Sequence, residues 1–159
     1  VRDGDPTCGV DLAGRRDVSR HCGSPTALVP IGSTEHHGPH LPLGVDTHEA
    51  ADVAAAAVSA RTGVPVAPAI PHGDADHHLA FPGTVSLPTV VSVLTDVHES
   101  LLGHGFETVL TVNGHRIATL AAIGTAMSDV AAGRPDATLA AIDARDDGSR
   151  TAERAVRSR

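Results

Sequence analysis

The sequence predicts an α/β fold, a three-layer αβα sandwich built around a mostly parallel central sheet. Three observations predict it. Short apolar runs end in Gly or polar residues, Ala-rich segments with helical spacing lie between them, and the two alternate regularly along the chain. Such alternation implies right-handed crossovers between parallel strands.

Residues 1–25 are rich in Gly, Arg and Asp without periodicity and read as an irregular N-terminal arm, leaving 26–159 as a single α/β domain. The first strand is Ala27-Leu28-Val29-Pro30-Ile31-Gly32, a continuous apolar run of the kind buried on both faces. A helix is expected over 47–61 (THEAADVAAAAVSAR), closed by Thr62-Gly63. Residues 64–70 read as a second strand, which Pro65 and Pro68 make irregular or place near an edge. Pro88 opens and Gly103 closes a helix over 88–103. Thr108-Val109-Leu110-Thr111-Val112 is the clearest strand. A helix over 116–132, stopped by Gly133, leads to a fourth strand over 137–142.

With 159 residues the chain can bury a real core. Aromatics are only 1%, with neither Trp nor Tyr, so that core must come from Ala, Val, Leu and Ile packed closely. A formal charge of −7 argues against nucleic acid or an anionic membrane surface as the main partner. No apolar stretch approaches the ~20 residues that span a bilayer, and no signal-peptide pattern is present. The expected location is cytoplasmic, with Cys8 and Cys22 as unpaired thiols and a disulfide as the alternative. Phosphate-loop, dinucleotide-binding and nucleophile-elbow motifs are absent, and the chain has no lysine.

Open α/β sheets bind ligands beyond the carboxyl ends of their strands, and each expected strand here runs into acid or imidazole groups. The first leads to Glu35, His36 and His37, and the second to Asp74, Asp76, His77 and His78. The third leads to Asn113-Gly114-His115, and the fourth to Asp143, with Asp146 and Asp147 beyond. In extended chain Glu35 and His37 project to one side, a pair suited to Zn, Mn or Fe. A solvated loop is the competing reading. Asp46 opens Asp46-Thr47-His48-Glu49, which has the spacing of a capping box, and spacing alone favours the cap over a ligand. His115 at a helix start would be held neutral and able to ligate, or would simply be a surface residue. His48 and His98 fall within helices and read as surface or packing residues. His40 reads as a substrate-facing or outer group, and Phe81 as a packing residue or a pocket wall.

GSTEHHGPHLPLGVDTH (32–48), FPGTVSL (81–87) and VNGH (112–115), in this order, resemble the creatininase family of metal-dependent amidohydrolases over roughly residues 25–145. The resemblance implies a site for two divalent metal ions, Zn, Mn or Fe. Glu35 and His115 would hold one, His37 the other, and Asp46 would bridge them, with His78 lining the site. A metal-activated water would then hydrolyse a C–N bond in a cyclic amide, formamide or modified peptide. A homo-oligomer is also implied. VAPAI (66–70) resembles the mycofactocin-peptidase branch.

The chain departs from the family pattern at several points. Arg116-Ile117 follows His115 where creatininase itself carries a ligand Glu two residues on, so Ile117 cannot ligate there. A later His-Ala-Gly-Glu motif is missing, and Glu153 is the nearest carboxylate that could replace it. An inward-facing Arg116 would compete with divalent cations. These features resemble a short or C-terminally truncated member. They keep open a second role, as a metal- or ligand-binding or structural subunit.

Overall fold

The computed structural model describes residues 23–144 apart from Leu79, Phe81, Arg116 and Ile117. The expectations that rest on Cys8, Cys22, Phe81, Arg116, Ile117, Asp146, Asp147 and Glu153, and on most of the N-terminal arm, fall outside the described residues.

Three strands form a parallel sheet in the order β1-β2-β3. They are β1 (Thr26–Ile31), β2 (Thr108–Asn113) and β3 (Thr138–Asp143). The register puts Ile31 beside Asn113 and Asn113 beside Asp143, so the three strands end level with one another. From Ala27 onward every β1 residue is buried, as its unbroken apolar run requires of a strand covered on both faces.

The expected strand over 64–70 is an irregular neighbour of β1. It touches β1 in parallel at only two isolated bridges, Leu28 with Val66 and Ile31 with Ile70. Ala67 N–H donates to Leu28 O at 2.8 Å and Ile70 N–H to Pro30 O at 2.9 Å. Pro65 and Pro68 have no N–H to offer, so a continuous ladder cannot form.

The helix expected over 47–61 begins earlier and is not uniformly α. This α1 runs from an α-helical turn (Val45–His48) through a π-helical stretch (Glu49–Ala55) into a second α-helical part (Ala56–Thr62). Apolar spacing among so many Ala residues does not separate i→i+4 from i→i+5 bonding, so the wider turn was illegible. Gly63 closes the helix in the left-handed conformation at φ 70. Helices α2 (Leu87–Gly103, with Pro88 in its first turn) and α3 (Ala118–Gly133) follow the expected pattern.

Helices α2 and α3 pack against each other and cover one sheet face, where Val90, Leu94, Ile123, Met127 and Val130 meet Val29, Val109 and Leu139. On the opposite face α1 places Ala50 and Ala55 against Leu28 and Val112. The result is the expected αβα layering. Ala at the α1 contacts lets that helix lie close to the strand ends. His98 of α2 is fully buried, with its Nε2 2.9 Å from Thr111 Oγ1 on β2, so it is a packing residue. His48 lies on the surface, 2.6 Å from Asp52. No helix among the described residues is long and apolar enough to cross a membrane.

Candidate metal centre

Three loops leave the ends of β1, of the irregular 64–70 segment and of β2, and hydrogen bonds tie them to one another. Gly114 N–H donates to Ile31 O at 2.9 Å, joining the ends of β2 and β1. Thr34 Oγ1 donates to Pro71 O at 2.7 Å, holding the 71–86 loop against the one after β1. That second loop is closed on itself by Ala75 N–H to Thr84 Oγ1 at 2.8 Å and Val85 N–H to Gly73 O at 3.1 Å.

The first turn of α1 sits in the notch these loops leave. A Cβ on Gly32 would stand 2.6 Å from the Asp46 carbonyl carbon, and one on Gly114 would stand 2.8 Å from the same atom. Contacts that short do not occur, so only glycine at both positions allows the Asp46 backbone to enter between β1 and β2. Asp46 is 1% exposed as a consequence.

The expected capping box does not form. Gly44 is the N-cap and makes no side-chain cap bond, and Asp46 lies inside the first turn. Its carboxylate faces two imidazoles: Oδ2 is 2.8 Å from His115 Nδ1, and Oδ1 is 3.1 Å from His37 Nε2. Glu35 Oε1 lies 3.4 Å from the same His115 Nδ1 and 3.6 Å from His37 Nε2. Glu35, Asp46 and His115 each present a ligand atom within 4.8 Å of the others. Two ligands about 2.1 Å from one tetrahedral zinc stand roughly 3.4 Å apart, so these separations are of the right size for a shared cation.

The imidazoles are oriented from behind. His115 Nε2–H donates to the Asp74 carbonyl at 3.0 Å and His37 Nδ1–H to the Glu35 carbonyl at 3.2 Å. This leaves His115 Nδ1 and His37 Nε2 to face the carboxylates, the arrangement typical of ligating histidines. His115 was expected to be neutral at a helix start. Burial does lower its pKa, but the Asp46 hydrogen bond, the charges of Glu35 and Asp46 and the Asp74 carbonyl together raise it above the ordinary histidine value. Either a proton or a divalent cation at Nδ1 satisfies the oxygens that converge there. Glu35 Oε2 is buried and has no hydrogen-bond partner among the described residues. A donor set made only of carboxylate oxygens and imidazole nitrogens fits Zn, Mn or Fe.

The structure therefore brings together Glu35, His37, Asp46 and His115. His78 also belongs, in a second group with Glu35 and His77. Asp143 is in neither group, and His40 is exposed. From the sequence His77 stood only among the groups after the second expected strand and carried no ligand role. Its ring lies parallel to that of His115, with centroids 6.3 Å apart. The adjacent imidazoles were a visible signal, but spacing could not say which one turns toward Glu35. The Asp74 carbonyl was also missed, since backbone acceptors leave no mark in a sequence.

The mycofactocin precursor peptide peptidase of Mycolicibacterium smegmatis is 42% identical over 102 residues, covering 60% of this chain and 41% of that protein. The creatinine amidohydrolase of Pseudomonas putida is 30% identical over 95 residues, covering 55% of this chain and 36% of that one. A solved tryptophan-to-alanine mutant of creatininase superposes with a TM-score of 0.68 at 24% identity, over 78% of this chain and 52% of its own. The chain thus spans about half or less of the length of the proteins it matches. The model of the family Creatininase, described as creatinine amidohydrolase, matches residues 16–157, a span that takes in all three strands and all three loops of the site. By that match the chain belongs to the creatininase family.

Proposed function

We propose that this protein is a metal-dependent amidohydrolase that cleaves a non-standard C–N bond in a cyclic amide, a formamide or a modified peptide. One observation carries the reading: the buried Asp46 carboxylate turns its two oxygens to two different imidazoles, His115 and His37. That is how a residue shared by two cations is placed. In this reading Glu35, His37, Asp46 and His115 would hold the metal ions, Asp46 shared between the two, with Glu153 as a further candidate carboxylate. Bound Zn, Mn or Fe would supply Lewis acidity and a water acidified enough to attack at neutral pH. Solved creatininases of Zn-Zn type and with Mn support that choice of metals. The chain's own part is to fix the donor atoms. The Asp74 and Glu35 carbonyls lock the two imidazoles, and the seated first turn of α1 excludes water from behind Asp46. The same reading takes residues 26–159 as one domain, the cytoplasm as the location and a homo-oligomer as the working unit. The exposed Val53 and Val93 on α1 and α2 offer apolar contacts to another copy.

A second reading rests on Ile117, which on the family resemblance falls at a ligand position and is an apolar residue that cannot bind metal. It is a family member that binds metal or ligand, or builds an assembly, without hydrolysis. Elemental analysis of the full chain after reconstitution with Zn, Mn or Fe tests both, in wild type, His37→Ala and Asp46→Ala. It is paired with hydrolysis assays on creatinine, a formamide and a short peptide. Two metals per chain, reduced in both variants, with metal-dependent turnover of one substrate, is the expected result. Metal without turnover of any of the three favours the second reading, and no bound metal overturns the first.

A further inference from the structure

The two carboxylate oxygens of Glu35 face different imidazoles. Its Oε1 looks toward His115 and His37, whereas Oε2 looks toward His77, whose Nε2 is 3.8 Å away. That distance is too long for a hydrogen bond, and Oε2 has no such partner among the described residues although Glu35 is only 8% exposed. A buried carboxylate oxygen left without a donor is unfavourable unless a cation meets it.

The groups needed to hold one are in place. Glu35, His77 and His78 each offer a ligand atom within 4.8 Å of the others. The rings of His77 and His78 lie side by side, centroids 4.2 Å apart, and His36 meets His78 edge-on at 6.1 Å. The 3.8 Å between Glu35 Oε2 and His77 Nε2 is close to the roughly 3.4 Å that separates two ligands of one tetrahedral zinc. Unlike the Asp46 group, this set opens outward, since the His77 side chain is 57% exposed.

We propose that Glu35 Oε2, His77 and His78 form a cation site of their own, on the solvent side of Glu35, for a divalent ion such as Zn²⁺. Two imidazoles and one carboxylate leave coordination positions for water or for an incoming carbonyl or carboxylate group. Glu35 then links this ion to the inner group through its other oxygen. The site does not need Asp46, and its outward position makes it the more readily exchanged.

Crystals of the full chain equilibrated with zinc, measured on both sides of the zinc absorption edge, locate each ion separately. Wild type, His77→Ala and Asp46→Asn are compared, with bound zinc per chain counted in solution. The expected result is an anomalous peak between Glu35, His77 and His78 in wild type and in Asp46→Asn, lost in His77→Ala together with one zinc per chain. Absence of that peak in wild type overturns the proposal, as does a peak that His77→Ala leaves in place. Failure of the inner site would appear at a different position, as missing density between Glu35, Asp46 and His115. His77 is largely exposed, and an unchanged circular dichroism spectrum of His77→Ala confirms that a lost peak is not a lost fold.

Discussion

Acidification is expected to destabilise this protein through His98, a residue outside the site. His98 is fully buried between α2 and β2, and burial lowers its pKa from 6.5 to about 4. Its Nε2 meets the neutral hydroxyl of Thr111, and Nδ1 has no hydrogen-bond partner among the described residues. The folded pKa lies below the unfolded one, so between pH 6.5 and 4 the unfolded chain takes up a proton that the folded chain refuses. Stability from this residue is complete above pH 6.5, falls as pH drops through that window and is gone below about 4. At about 1.4 kcal/mol for each pH unit between the two values, the loss is roughly 3 kcal/mol, a large part of the 5–15 kcal/mol typical of a domain. Urea unfolding of wild type and His98→Gln at intervals from pH 7.5 to 4 measures it. The glutamine amide can still reach Thr111 and carries no proton-binding nitrogen. Subtracting the two curves removes the other titrating groups. Wild-type stability is expected to fall by about 3 kcal/mol more than that of the variant on acidification, and parallel curves would refute the reasoning.

Three further outcomes are expected. Gly114→Ala places a methyl group 2.8 Å from the Asp46 carbonyl carbon and 3.2 Å from Ala50 Cβ, so the first turn of α1 must move. A loss of about 1–3 kcal/mol follows, and metal content falls with it. An unchanged unfolding midpoint would contradict the seating of Asp46. Asp46→Asn keeps the shape but removes the charge that faces both His37 and His115, and dialysis against Zn or Mn is expected to show at least a tenfold weaker inner site. By contrast Arg134→Ala breaks an ion pair with Glu99 at 3.1 Å whose partners are 41% and 40% exposed. It is expected to change stability by less than about 1 kcal/mol, as thermal melts can check.

The layers of the fold were legible because burial leaves a composition trace. The runs at Ala27–Ile31, Thr108–Val112 and 137–142 are short, apolar and bounded by Gly or polar residues, as strands are, and Pro65 and Pro68 announced where the pattern would weaken. The positions of Glu35, His37 and His115 followed from those strands, since parallel strands end on one side. The state of Asp46 did not follow. Its spacing before a helix fits a cap, and what turns it to His37 and His115 is the close approach of two glycines more than eighty residues apart in sequence. The π-helical stretch was hidden for a local reason, because Ala at nearly every position suits either winding. His77 was hidden by having another histidine beside it.

The seating of Asp46 between Gly32 and Gly114 also sets an order of events. The inner donors come from residues 35, 37, 46 and 115, and they converge only once β1 and β2 are paired and α1 has docked across both. An unfolded chain presents no comparable grip, so metal cannot act as a template for the early collapse. On the proposed metal-dependent reading, it would bind the finished structure and hold it by mass action. Added zinc is therefore expected to slow escape from the native state while leaving the refolding rate nearly unchanged. Supply of metal would then govern how long each molecule lasts, and the speed of its formation would be left to the apolar strands.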